Sequence, residues 1–147
     1  MNTASLLAIA TTTIVLAACA TVPKPAAATS KGELAFQSTV KPLFEKRCVW
    51  CHGNRKALGT LNLQDRAATL DPAKRFVVPG RPAESRIYQA ITKASTHPRV
   101  MPADGWGITK DQETAIGDWI QNGAPWPEGS AGRIHRKSYQ VDHDDYR

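Results

Sequence analysis

Apolar residues recur at steps of three and four positions between residues 31 and 47. At this spacing one face of a helix is formed by Phe36, Val40, Leu43 and Phe44. Pro42 lies inside the pattern and lacks the backbone N–H that a helix interior needs, so a bend or a restart is expected there. The pattern therefore predicts a first helix over residues 31–47.

The same periodicity predicts a second and a third helix. Residues 83–92 form one helix with an inward face of Ile87, Tyr88 and Ile91. Thr109 and Gln112 form a capping box that opens the last helix, which runs to about Asn122. The inward face of this last helix consists of Ala115, Ile116, Trp119 and Ile120. Gly123 follows it and favours a helix end.

The connections between these helices are rich in residues that interrupt regular structure. A short helical turn is expected over residues 65–70, and Pro98, Pro102, Gly105 and Gly107 predict a structured loop over residues 93–108. Residues 59–63 alternate briefly between apolar and polar positions. The domain is expected over residues 31–127, and the polar residues 128–147 are predicted to be flexible or draped over its surface.

The first 18 residues differ from the rest, because they contain no charge and carry one apolar run. That run is too short to cross a bilayer and is typical of a secretory signal. Its end, Leu16-Ala17-Ala18-Cys19, resembles the lipobox of bacterial lipoproteins, which implies cleavage before Cys19 and lipid attachment to it. A plain secretory signal is the alternative. Residues 19–30, rich in alanine and proline, are then a flexible tether, and the protein is exported to the periplasmic side of a membrane.

Composition narrows the choice of function without deciding it. The 147 residues are 41% hydrophobic and 22% charged, which excludes collagen-like, coiled-coil and fully disordered chains. The net charge of +6 favours acidic partners, nucleic acid or an anionic membrane, and does not choose among them. No nucleic-acid module, phosphate-binding loop or pair of carboxylates suited to acid–base catalysis accompanies this charge, so neither nucleic acid nor a small-molecule substrate is expected.

The residues Cys48-Val49-Trp50-Cys51-His52 form a CxxCH motif, which is a c-type haem attachment sequence. Two thiols separated by two residues can add to the two vinyl groups of one haem, and the adjacent His52 then binds the iron as proximal ligand. A thioredoxin-like dithiol would need a βαβ setting, and a zinc site would need further ligands at regular spacing. The motif therefore favours one covalent haem c held by Cys48, Cys51 and His52.

The loop before the last helix is expected to supply the sixth ligand of the iron. Met101 is the only methionine after the signal, and the prolines around it restrict the chain, which lowers the entropic cost of holding a weak thioether ligand. His97, four residues earlier, is the alternative ligand.

With these motifs in place, residues 36–124 resemble the planctomycete-type cytochrome c domain. The matching stretches are Val40-Lys41-Pro42-Leu43, the CxxCH motif with Gly53, Gly59-Thr60-Leu61-Asn62-Leu63, Val78-Pro79-Gly80-Arg81-Pro82 with Ser85, Met101-Pro102, and residues 108–124. The resemblance implies a small all-α cytochrome c fold, with three to four helices wrapped around one haem. It also implies His52 and Met101 as axial iron ligands, and electron transfer rather than enzymatic turnover. The alternatives are a peroxidase-like haem enzyme or gas sensor with a displaceable sixth ligand, and a haem subunit of a larger oxidoreductase.

Basic residues flank the attachment motif, namely Lys41, Lys46, Arg47, Arg55 and Lys56. They predict a positive ring that steers acidic redox protein partners, with an ordinary solvated basic surface as the alternative. Arg99 and Trp106 are candidate donors to the haem propionates. Trp50 and Trp119 are expected in the core or against the haem. Lipid on Cys19 would bring the protein to a membrane.

Overall fold

A continuous helical segment spans residues 31–48 in the computed structural model, which describes residues 30–57, 60–93 and 96–137. It consists of α1 (Lys31–Ala35), a π-helical turn (Phe36–Val40), α2 (Lys41–Leu43) and a second π-helical turn (Phe44–Cys48). The backbone N–H of Lys41 donates to the carbonyl of Phe36, five residues back, so the helix passes Pro42 through a widened turn. The predicted first helix is confirmed, with two π-helical turns where a bend or a restart was expected.

Three short helical elements follow the attachment motif. In α3 (Arg66–Thr69), the Asp65 carboxylate caps the N-terminus by accepting from Ala68 N at 2.9 Å. A 3₁₀ turn (Pro82–Glu84) then precedes α4 (Arg86–Ile91). The predicted turn at 65–70 is thus confirmed, and the helix predicted from residue 83 is α-helical from residue 86.

The last long helix is α5 (Lys110–Gln121), and it begins with the predicted capping box. Gln112 N donates to Thr109 Oγ1 at 3.2 Å, and Thr109 N donates to Gln112 Oε1 at 3.1 Å. Gly123, with φ of +90°, follows the helix in the left-handed region that glycine adopts at low cost. Both ends of this helix are therefore fixed by local chemistry, as predicted.

Strand content is small in the described part of the chain. Two residues of β1 (His52–Gly53) pair antiparallel with two of β2 (Lys56–Ala57), so that His52 lies opposite Ala57. The fold is helix-rich and compatible with the predicted all-α class. Within the described ranges no helix has the length and apolarity needed to cross a membrane.

The core is built around four aromatic rings from distant parts of the sequence. Phe36 and Phe44 lie against Trp119 and Trp126, with ring centroids between 5.1 and 6.3 Å apart. Each indole N–H is satisfied by a backbone carbonyl, since Trp119 Nε1 donates to Pro125 O at 3.0 Å and Trp126 Nε1 to Gly132 O at 2.6 Å. This cluster joins the first helical segment to α5, and it confirms that Trp119 is a core residue.

The chain after Pro127 packs on the domain as far as residue 137. It contains α6 (Gly129–Gly132), and Ile134 beyond it is 2% exposed and belongs to the hydrophobic core. The described part of the predicted tail is therefore draped over the domain, as one of the two expectations had it, and also supplies a core residue. Residues 138–147, the predicted signal (1–18) and most of the tether with Cys19 lie outside the described residues.

Candidate functional site

The two motif cysteines lie at the end of the first helical segment and line one cavity. Both thiols are free rather than joined in a disulfide, and Cys51 N donates to Cys48 O at 3.2 Å. Burial raises the pKa of the Cys48 thiol to about 12; the nearby Arg47 opposes this, and Asp104 and Cys51 add to it. Cys48 is therefore a protonated thiol at neutral pH.

His52 lines the same cavity, and its backbone is held from two sides. It pairs with Ala57 in the β1–β2 ladder, and its carbonyl accepts from Leu63 N at 2.8 Å. Gly53 behind it leaves no room for a side chain, because a Cβ there would lie 2.6 Å from Val49 O and 2.7 Å from Gln64 Oε1. The position of the imidazole thus depends on close backbone packing that only glycine permits.

The cavity has a volume of about 600 Å³, within the usual range for sites of organic ligands. Its wall is mostly apolar and comes from α2, the π-helical turn that ends at Cys48, α4, α5 and the segments between them. The aliphatic and aromatic lining residues are Leu43, Phe44, Leu61, Leu63, Phe76, Ile87, Ala90, Ile91, Ile108 and Ile116. Such a wall favours a flat, largely apolar group over a polar substrate.

Met101 reaches this cavity from the opposite loop. Its side chain lines the wall, its backbone N donates to Ala90 O of α4 at 3.1 Å, and Pro102 beside it is buried. His97 is exposed and lies outside the set of lining residues, and its Nδ1 accepts from Arg99 N at 3.0 Å. The loop therefore turns Met101 inward and leaves His97 engaged with the loop's own backbone.

Arg47 is buried, so the prediction that it belongs to a positive surface ring is wrong. Its Nη2 lies 2.6 Å from Asp104 Oδ2 and 2.9 Å from Gly107 O, and both Arg47 and Asp104 line the cavity. A buried guanidinium needs such partners, because an unpaired buried charge is strongly unfavourable. The pair joins the residue before Cys48 to the loop that carries Met101.

The remaining candidates divide between the cavity and the surface. Trp50 lines the cavity and is 44% exposed, with the Arg136 guanidinium 3.6 Å above its ring. Trp106 and Arg99 are exposed and lie outside the lining, so the structure does not bring either candidate propionate donor to the cavity wall. Arg86 also lines the cavity, and sequence reasoning missed it because no motif marks it.

The C-terminal segment of residues 133–137 lies against the helix that ends at Cys48. Glu45 is 3% exposed, and its carboxylate accepts from His135 N at 3.0 Å and from Lys137 Nζ at 2.7 Å. Burial acts to raise the pKa of Glu45, but hydrogen bonds from Lys137 and His135 and the charges of Lys137 and Lys41 outweigh it, so the pKa lies below its ordinary value of 4.5. This charged contact joins the segment to the helical segment that ends at Cys48, which we call the attachment helix.

The donor set of the cavity fits a c-type haem. It combines two free thiols at CxxC spacing, an imidazole and a thioether in a largely apolar wall. The thiols are the groups that bind such a haem covalently, and the imidazole and the thioether are groups that bind its iron. Elsewhere in the described ranges, as at the cavity, no cluster of three or more His, Cys, Asp or Glu side chains is arranged to hold a bare metal ion.

Comparison with known proteins agrees with this arrangement. Residues 48–105 match the family model described as planctomycete cytochrome C. The matched stretch begins at Cys48, and it includes His52, α3, α4 and Met101. Neither the curated proteins nor the solved structures contain a significant match to the chain.

Proposed function

Because the chain carries a planctomycete-type cytochrome c domain, we propose that it transfers single electrons through one haem attached to Cys48 and Cys51. The observation that carries the proposal is that both thiols, His52 and Met101 line one apolar cavity of about 600 Å³. A family match by itself indicates a haem-based electron-transfer role. The cavity adds the specific groups through which this chain would hold the haem.

In the proposed site His52 and Met101 would be the two side chains that ligate the haem iron. The haem, when bound, supplies the redox chemistry, and the chain supplies ligands, burial and docking. Thioether ligation raises the reduction potential relative to two imidazoles. The apolar wall excludes water and so disfavours the more highly charged oxidised state. Support for Met101 over His97 comes from its place in the lining and from the engagement of His97 Nδ1 by Arg99.

A permanently bound sixth ligand keeps small molecules off the iron, so we expect no enzymatic turnover. A peroxidase-like site would need an acid–base group facing the open side of the haem. His97 was the candidate for that role, and its exposure outside the lining favours the electron carrier. Membership of a larger oxidoreductase is tested separately, by the size of the protein at several concentrations and by what co-purifies with it.

We further propose that acidic redox proteins dock beside the attachment motif. Lys46 and Arg55 are exposed on either side of it in sequence, and Arg136 adds a cation above the half-exposed Trp50. Positive charge at the site of electron exchange steers an acidic partner toward it.

The proposed location is the periplasmic side of a bacterial membrane, reached through the signal over residues 1–18. Lipid on Cys19 is the proposed anchor. Mass spectrometry of the membrane-bound protein tests it, because we expect an N-terminal peptide that begins at Cys19 and carries an acyl mass. Absence of an acyl mass on Cys19 would contradict the anchor.

The experiment that tests the proposed function is the visible and near-infrared spectrum of the oxidised, haem-loaded protein. We expect a far-red band from Met-to-iron(III) charge transfer that is lost in Met101→Ala and kept in His97→Ala. A low-spin spectrum that lacks this band and becomes high-spin in His97→Ala would assign the sixth ligand to His97. A high-spin spectrum of the unaltered protein would favour the enzyme or sensor, and absence of covalent haem would refute the proposal.

A further inference from the structure

We propose that the ion pair between Arg47 and Asp104 positions Met101, by tying the loop of residues 101–107 to the helix that ends at Cys48. The inference rests on the proposed function, because it concerns Met101 as an iron ligand. Neither residue would touch the iron. Both would act through the loop and are therefore positioning residues.

Two contacts to other elements flank Met101 in this loop. At its start Met101 N donates to Ala90 O of α4 at 3.1 Å. At its end a single nitrogen, Arg47 Nη2, contacts Asp104 Oδ2 at 2.6 Å and Gly107 O at 2.9 Å. Met101 lies between these contacts, so loss of the second one would remove a restraint on the part of the loop that follows Met101.

The carboxylate of Asp104 accepts a hydrogen bond from within the loop as well as one from Arg47. Its Oδ1 accepts from Trp106 N at 2.9 Å, while its Oδ2 faces the Arg47 guanidinium. The side chains of Arg47 and Asp104 are only 4% and 18% exposed, so solvent screens their attraction far less than that of a surface pair. Removal of one partner from such a pair leaves the other charge buried and is strongly unfavourable.

The chain beyond Asp104 would gain freedom if this contact were lost. Gly105 and Gly107 have φ values of +83° and +68°, and glycine has more conformational freedom in the released state than any other residue. A thioether is a weak iron ligand, so its occupancy depends on how much of that freedom the folded loop has already given up. The contact with Arg47 restricts the loop before Met101 binds.

Imidazole titration of the oxidised, haem-loaded protein tests this proposal. Imidazole takes the place of Met101 only in molecules whose loop has opened, so its apparent affinity rises in proportion to the open fraction. We expect Asp104→Ala to bind imidazole at least tenfold more tightly than the unaltered protein, which corresponds to about 1.4 kcal/mol of loop opening. Asp104→Asn keeps an oxygen that can accept from Arg47, and it should show a smaller increase.

Glu84→Gln is the matched control, because it removes one carboxylate charge from an arginine pair away from the loop. Glu84 lies 2.7 Å from Arg75 in a pair that is largely exposed, and we expect this variant to keep the unaltered affinity for imidazole. Urea unfolding of each variant, followed by far-ultraviolet circular dichroism, separates loop opening from loss of global stability. A purely structural role for the pair would lower the unfolding midpoint and leave the affinity for imidazole unchanged.

Unchanged imidazole affinity in Asp104→Ala, with the far-red band of the unaltered protein present, would overturn the positioning role alone. If Asp104→Ala is not recovered as a folded protein, Asp104→Asn decides: tighter imidazole binding supports the proposal, and unaltered affinity overturns it. Absence of the far-red band from the unaltered protein would overturn Met101 ligation and this proposal together.

Discussion

Glu45 provides a direct test of the contact between the attachment helix and the C-terminal segment. The substitution Glu45→Gln removes the negative charge while keeping the size and one accepting oxygen of the side chain. In the folded protein this carboxylate is 3% exposed and accepts from His135 N and Lys137 Nζ. The variant therefore loses a charged hydrogen bond without creating a cavity.

The expected cost can be worked out from these contacts. A hydrogen bond to a charged group contributes about 1.5–3 kcal/mol when it is buried. The side chain of Lys137 is 56% exposed, which reduces that value through solvent screening, and glutamine can still accept from His135 N. We therefore expect Glu45→Gln to lower the free energy of unfolding by about 1–2 kcal/mol at neutral pH. Urea is the suitable denaturant, since guanidinium would itself screen the pair.

The pH dependence of this difference has a definite sign. The folded pKa of Glu45 lies below its ordinary value of 4.5, so its charge stabilises the fold fully above that value. The stabilisation is lost as the pH falls through the lowered folded pKa. Because protonated glutamic acid and glutamine have nearly the same shape, the difference between the two proteins should close in that range.

Glu84→Gln is again the matched control, because Glu84 is partly exposed and its loss should change the unfolding free energy by less than about 0.5 kcal/mol. Equal effects of Glu45→Gln and Glu84→Gln at neutral pH would refute the reasoning. So would a difference between the unaltered protein and Glu45→Gln that widens as the pH is lowered.

Three further predictions concern the C-terminal segment, the attachment turn and the docking surface. Ile134→Ala should lower the free energy of unfolding by about 2–4 kcal/mol in urea, whereas an unchanged midpoint would place this residue outside the core. Gly53→Ala should cost about 1–3 kcal/mol by the same measurement, because its Cβ would lie 2.6 Å from a backbone carbonyl oxygen; full stability would show that the turn can yield. Joint reversal of Lys46 and Arg55 to Glu should slow electron exchange with an acidic partner at low salt and have little effect at high salt. Joint reversal of Lys31 and Lys74 to Glu is the control for net charge, because both residues are exposed and outside the cavity lining. Equal slowing by this control would argue against a local docking surface.

The parts of the fold that could be predicted from sequence are those fixed by neighbours along the chain. The capping box joins Thr109 and Gln112, which are three positions apart, and Ile116, Trp119 and Ile120 lie within two helical turns. The CxxCH motif belongs to the same class, because its chemistry depends on five consecutive residues. Because these features depend on neighbouring residues, the sequence predicts both ends of α5 and locates the candidate attachment site.

The features that escaped prediction depend on contacts between distant residues. Ile134 is one apolar residue in a polar stretch without periodicity, and nothing near it in sequence indicates that it enters the core. The π-helical turns around Pro42 depend on how the first helical segment packs as a whole. Arg86 lies at the cavity wall beside Ala90, but the wall itself forms only when distant segments meet.

Charge near the attachment motif shows why proximity in sequence is a poor guide to a docking surface. Glu45, Lys46 and Arg47 are consecutive, yet Glu45 and Arg47 are buried and Lys46 is exposed. A charged side chain is buried only when it is paired, and here the partners lie far along the chain: Asp104 is 57 residues from Arg47, and His135 is 90 residues from Glu45. Lys41 is also engaged, since its Nζ donates to Ala131 O at 2.7 Å. Two of the five basic residues predicted to steer a partner therefore hold the structure together instead, and the salt dependence of partner association should be correspondingly shallower than a count of sequence charges implies.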